Sequence, residues 1–188
     1  MPIIIQCNLN QKVVPNMSYL KSIFVGALLF IMSQSVTNAA SAGTLLLETS
    51  QGQIEIEMLP DVAPKHVARI SELASSGFYD GIIFHRIIQG FMAQTGDPTG
   101  TGMGGSGQKL EAEFTDYPYR EGTVGMARSM DPNSGDSQFF ICFDGCGHLT
   151  GQYTVWGQVS KGMDVVHKLA VGEPPANPDR IVSASMID

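Results

Sequence analysis

The stretch Phe84-His-Arg-Ile-Ile-Gln-Gly-Phe-Met-Ala-Gln-Thr-Gly-Asp97 decides how this chain is read. It places a cation, Arg86, in a run of large apolar residues, with Phe84 and Ile88 two positions to either side. A guanidinium in such surroundings is costly unless it is paired or put to use. Gln89-Gly90 punctuates the run as a turn, so 82–88 and 91–94 are expected to pair as antiparallel strands. Neighbouring strand residues face opposite sides. His85 is therefore expected on the face away from Arg86, as a packed or hydrogen-bonded structural histidine.

Outward from this stretch the chain keeps to short elements. Gln53-Ile-Glu-Ile-Glu-Met58 alternates polar and apolar with period two, and Thr44–Thr49 precedes it across Ser50-Gln51-Gly52, which predicts a hairpin. Over Pro64–Ser76 the period lengthens. Val67, Ile70 and Ala74 share one helical face, with Pro64 at the start and Gly77 past the end. Further apolar runs at 123–127, 138–143, 153–159 and 181–187 are separated by Gly, Pro, Asn and Asp, and a second helix is expected over Met163–Ala170. Many short strands and two helices, with no repeat or linker, indicate one mainly β domain, an antiparallel barrel or sandwich.

Composition divides the 188 residues at position 42: all 18 acidic residues follow it, and only Lys12 and Lys21 precede it as charges. Within this leader, Lys21 is followed by the apolar run Ile23–Met32 and then by small residues ending in Ala40-Ser41-Ala42. That order matches a secretory signal peptide, and the run is shorter than the roughly 20 residues a bilayer span needs. Cleavage is expected after Ala42, or alternatively after Ala39, and Met17-Ser-Tyr-Leu-Lys reads as an ordinary signal start, with Met17 the initiator. The domain is then 43–188, periplasmic or secreted and not stably membrane-associated. The net charge of -7 argues against nucleic-acid binding. An oxidising compartment would permit a Cys142–Cys146 disulfide. Strand residues rarely bend back over three neighbours, however, so a buried thiol and a loop thiol are expected instead.

Several familiar sites are excluded. The four histidines and the cysteines show no metal-ligand spacing, and no cofactor is expected. The glycines of 100–105 lack the GK[ST] ending of a phosphate loop and are expected to form a tight loop. Glu111 and Glu113 are expected on a solvated face, and His66 and His167 as surface or satisfied residues. Ser137 has no base–acid pair near it in sequence, which argues against a hydrolase.

Four motifs in order, FHRIIQGFMAQTGDPTGTGMGG (84–105), GMAR (125–128), SQFFI (137–141) and HLTGQYTVWGQV (148–159), resemble the cyclophilins, a family of peptidyl-prolyl cis/trans isomerases. The likeness runs from about Thr44 to Asp188. In the loop after Asp97 and in HLTGQYTVWG it is closest to the bacterial exported branch. It implies a closed eight-stranded antiparallel barrel capped by two helices. It implies Arg86 as catalytic residue; Phe91, Met92, Phe140 and Leu149 as walls of the proline pocket; and Gln94 as the polar residue beside the arginine. Ala127, Arg128 and Gln138 would line the groove for the preceding peptide. Arg128 replaces the family's usual asparagine, with a groove contact expected through its backbone. His148 stands where eukaryotic members usually carry a tryptophan important for cyclosporin, so weak cyclosporin binding is expected. Tyr153 replaces a histidine found in many members near the pocket.

These residue types suit the chemistry. Twisting a peptide bond costs about 18–20 kcal/mol because resonance is lost. No bond breaks, so neither nucleophile nor metal is needed. In the twisted form the prolyl nitrogen regains its lone pair, and a fixed donor such as Arg86 binds that form better than the planar one, which is catalysis. The expected partners are proline-containing peptides and exported proteins that are folding, with the domain acting as a monomer. The competing reading is a proline-peptide binding or chaperone module on the same scaffold without turnover.

Overall fold

A computed structural model of the protein describes residues 43–187; the leader readings, including Met17 and the cleavage positions, lie outside them. Eight strands form one antiparallel sheet: β1 (Thr44–Thr49), β2 (Gly52–Met58), β3 (Arg86–Ile88), β4 (Met92–Thr95), β5 (Thr123–Met126), β6 (Phe139–Cys142), β7 (Val155–Lys161) and β8 (Ile181–Ile187). Their order is β3-β4-β6-β5-β7-β2-β1-β8. The sheet curls into a half-barrel, which corrects the closed barrel expected above: β3 and β8 are its two edges and share no ladder. The segment leading into β3 meets only the start of β8 and the residues before it, Ile181 exchanging backbone bonds with Gly81 and Ile82. Ile83 bridges Arg180, and Phe84 N donates to Asp179 O at 2.8 Å. The run 82–88 is thus mostly irregular, and its strand shrinks to Arg86–Ile88.

Both expected helices are present. In α1 (Pro64–Ser75) the buried His66, Val67, Ile70, Leu73 and Ala74 form the inward stripe. The helix stops as its sequence predicts. Gly77, at φ +73, donates to Ala74 O while Phe78 N donates to Leu73 O, the paired bonds of a glycine-terminated helix. No side chain at its start caps it. Instead Glu113 accepts from Lys65 N at 3.1 Å, from His66 N at 3.0 Å and from His66 Nδ1 at 2.6 Å. Glu113 is therefore a helix cap supplied from a distant loop rather than part of a solvated face; Glu111, paired with Lys65, is the exposed one. Burial lowers the pKa of the satisfied His66 against the opposing pull of Glu113. The second helix, α2 (Met163–Val166), is shorter than its sequence suggested.

Strand alternation separates two apolar layers. Leu45, Leu47, Ile54, Ile56, Val124, Phe139, Ile141 and Trp156 point into the main core with the buried face of α1. Met92, Phe140, Cys142 and Val155 point the other way and collect Tyr119, Cys146 and Leu149 into a second, smaller cluster. That outer cluster is the floor on which the site is built.

Candidate active site

One row of register partners crosses four strands: Arg86 opposite Gln94, Gln94 opposite Phe140, and Phe140 opposite Gly125. Register partners share a face. The row therefore sets a cation, an amide, an aromatic ring and a gap side by side on the outer layer. The gap is required, since a Cβ on Gly125 would meet Phe140 Cζ at 2.7 Å and collide with Tyr119 Oη. Tyr119 in turn stacks on Phe140, ring centroids 5.7 Å apart, and fixes it from behind.

A cavity of about 300 Å³ opens beside this row, lined by Arg86, Phe91, Met92, Gln94, Ala127, Arg128, Phe140, His148, Leu149 and Tyr153. Ten of the eleven residues singled out in the sequence thus meet in one place. The eleventh, Gln138, lines the adjoining cavity of about 420 Å³ together with Gln94, Ala127 and Arg128. Met92 and Phe140 are buried, whereas the Arg86 side chain is 38% exposed, so an apolar floor carries an accessible cation. His148 stacks on Phe91 at 5.5 Å between centroids, and Tyr153 meets Phe140 edge-on at 5.8 Å. The Arg128 guanidinium lies 4.4 Å from the Tyr153 ring centroid and donates from Nη2 to Gln152 O at 2.9 Å, which sets the side chain along one wall.

Arg86 sits at the end of a chain of hydrogen bonds. Its Nη1 donates to Gln94 Oε1 at 3.4 Å; Gln94 Nε2 donates to Gln138 Oε1 at 2.9 Å; Gln138 Nε2 donates to Gly102 O and Gly104 O at 3.0 and 2.8 Å. The glycine loop is anchored by Asp97, which accepts from Thr99 N and Oγ1, Gly102 N and Gly104 N. Burial raises the Asp97 pKa, but these donors outweigh it and hold the carboxyl down at about 2. The glycines of 100–105 are therefore a tight loop, as expected. A Cβ on Gly104 would run into Asp97 Oδ1. Asp97 escaped the sequence reading as a site residue, although an Asp followed by a glycine-rich loop is a signal for such anchoring.

Four further residues, His85, Glu173, Cys142 and Cys146, depart from expectation. His85 does not face away from Arg86: both line a third cavity with Gly100, Thr101 and Glu173, because the strand begins only at Arg86 and its alternation does not extend back to 85. Glu173 accepts a hydrogen bond from Arg86 Nε at 2.7 Å, an ion pair spanning 87 residues with no local sequence signal. Cys142 and Cys146 form a disulfide, contrary to the free thiols expected. The strand ends at Cys142 and the chain turns at once through Asp144-Gly145, bringing the Cα atoms to 6.0 Å, within disulfide range.

Fold and site together define a class. The family model described as cyclophilin type peptidyl-prolyl cis-trans isomerase matches residues 44–186. The chain is 44% identical to a probable peptidyl-prolyl cis-trans isomerase of Brucella suis, over 90% of this chain and 97% of that protein. It is 42% identical to a peptidyl-prolyl cis-trans isomerase of Synechococcus elongatus, over 76% and 94%. Among solved structures, a cyclophilin from Hirschia baltica matches with a TM-score of 0.72 and 32% identity, covering 78% of this chain and 74% of that one. A Cryptosporidium parvum cyclophilin, crystallised in the presence of the dipeptide Ala-Pro, also matches at 0.72, with 29% identity over 77% and 99%. The chain belongs to the cyclophilin-type peptidyl-prolyl cis/trans isomerase family.

Proposed function

We infer that this peptidyl-prolyl cis/trans isomerase turns X-Pro bonds in the cavity beside Arg86, and that its clients are exported proteins. One observation carries the first part: a half-exposed guanidinium stands at the rim of an apolar-floored cavity, held from two sides. Phe91, Met92, Phe140 and Leu149 take the proline ring, with His148 and Tyr153 closing it in. Ala127, Arg128 and Gln138 hold the residues before the proline. Arg86 then donates to the prolyl nitrogen as the bond twists and its lone pair returns. In a partly dry cavity that bond is worth more than in water, and it is made only in the twisted state. Metal and cofactor have no part in such a rotation.

Two observations support the placement with the exported branch. The leader has the order of a signal peptide. The Cys142–Cys146 disulfide suits an oxidising compartment.

The test of the site is an exchange measurement on an Ala-Pro peptide by NMR or coupled proteolysis. Arg86→Ala is expected to cut kcat/KM by roughly 100-fold or more, the scale of one lost transition-state donor, with an unchanged unfolding midpoint. Activity that survives the substitution would overturn the role given to Arg86.

A further inference from the structure

The chemistry just described leaves Glu173 without a task, although its carboxylate lies 2.7 Å from the nitrogen of the side chain that matters most. We propose that Glu173 is a positioning residue, whose carboxylate holds the plane of the Arg86 guanidinium so that its remaining N–H groups stay aimed at the prolyl nitrogen. The proposal rests on the reading of Arg86 as the donor to that nitrogen.

Arg86 needs such a hold. It begins a three-residue strand at the edge of the sheet, and its side chain is more than one-third exposed. On the cavity side it is restrained by a long 3.4 Å bond from Nη1 to Gln94 and by Met92 Sδ at 3.9 Å. A single anchor leaves a guanidinium free to swing about its last torsions. A second on a different nitrogen fixes a plane, because the fork is rigid. Glu173 takes Nε and Gln94 takes Nη1, while Nη2 has no partner among the described residues. The two anchors thus leave donors unspent on the same rigid fork.

The segment that carries Glu173 is itself held in place. Gly172 and Ile87 exchange backbone hydrogen bonds at 2.8 and 3.0 Å, which docks the loop on the residue next to Arg86. Gly172 has φ +154, and a Cβ there would lie 2.5 Å from Pro175 Cα, so the docking residue must be glycine. Pro174 and Pro175 stiffen the chain beyond Glu173. Upstream and downstream are tied together, since Asp179 accepts from Ala170 N at 2.8 Å and from Ser50 Oγ at 2.6 Å. The carboxylate therefore arrives on a clamped loop rather than a loose one.

A positioning role makes its own predictions in the full domain. Glu173→Ala is expected to lower kcat roughly three- to tenfold in peptide exchange by NMR, with KM within about twofold, because the guanidinium is misaimed but the proline pocket is intact. Glu173→Gln keeps an acceptor at the same reach and is expected to retain most of kcat. In an Arg86→Ala background, Glu173→Ala is expected to cost nothing further, since the residue it aims is gone. The Arg86 Nε–Hε resonance, read by 15N NMR without any substrate, is expected to be slow-exchanging in the wild type and in Glu173→Gln, and lost to fast exchange in Glu173→Ala. The proposal is overturned if Glu173→Ala leaves kcat unchanged, if it costs the same with and without Arg86, or if the wild-type Nε–Hε is unprotected. If Arg86→Ala alone leaves activity intact, the reading of Arg86 falls instead, and the NMR signal still reports whether the pair exists.

Discussion

Single residues carry this site through what they replace water with. Asp97 is the clearest case. It is buried, it touches no part of the proline cavity, and yet its four donors shape the loop whose carbonyls at 102 and 104 hold Gln138. Its carboxyl is held near a pKa of about 2 against an ordinary value of 3.8. A depressed carboxylate pKa means stability present above the ordinary value and lost as pH falls through the folded one. Asp97 accordingly contributes about 2 kcal/mol at neutral pH, fading between about pH 4 and pH 2. Asp97→Asn should remove that amount in urea unfolding at pH 7, and the gap between the two proteins should narrow toward pH 2. Its kcat/KM should fall as well, because Gln138 and then Gln94 lose their backing. A gap that stays constant with pH would show that the carboxylate's charge is not what matters. Arg86 stood out in the sequence because a cation in an apolar run violates the ordinary burial rule; its apolar neighbours, which singly read as core, were assigned to the pocket only through the family resemblance. Glu173 was not, since a glutamate in a Gly-Glu-Pro-Pro turn violates nothing until the fold brings it across 87 residues.

At the scale of elements, short segments outside the ladder do most of the work of shaping the cavity. Leu149 and His148 sit on the 3-10 turn Gly147–Leu149, which follows directly from Cys146. The disulfide ties the start of that turn to the last residue of β6, two positions from Phe140. Gly145 N also donates to Gly90 O at 2.9 Å, so the loop leans on the β3–β4 turn as well. Cross-linking so short a loop is worth about 2 kcal/mol by chain entropy. The double replacement Cys142→Ser with Cys146→Ser should lower stability by about that amount. It should also raise KM more than it lowers kcat, since it loosens a pocket wall and leaves Arg86 alone. Peptide-exchange kinetics and denaturant unfolding on the same samples would show this; an unchanged KM would mean that the backbone bonds alone hold the wall. The helix α1 was readable almost to the residue, because Pro64, the 3.6-residue stripe and Gly77 are all local signals. Its cap, Glu113, was not. A cap delivered from 47 residues away has no position in a pattern read along the chain.

For the whole molecule, the eight strands and two helices followed from the punctuation of the sequence, and the openness of the sheet did not. Whether two edges pair is decided by the irregular backbone at 81–84 and 179–181, where single bridges replace a ladder. The family resemblance named a closed barrel, and strand counting alone cannot distinguish it from a half-barrel. The division at position 42 belongs to this scale too. On the proposed export reading, loss of the leader would remove Lys12 and Lys21 and no acid and would leave a still more acidic domain. If the leader is removed as that reading proposes, N-terminal sequencing of the mature protein is expected to begin at Gly43, or at Ala40 if cleavage follows Ala39. A mature chain that retains residues 23–32 would contradict the export reading.

The pairing of β1 with β8 reaches one step further. Thr44 and Ile187 are register partners on adjacent antiparallel strands, which lie about 4.8 Å apart. The two tails of the domain therefore depart side by side. Anything tethered to the front end and anything appended to the back would leave by the same corner, so the two kinds of fusion should burden the same patch of surface and spare the same remainder.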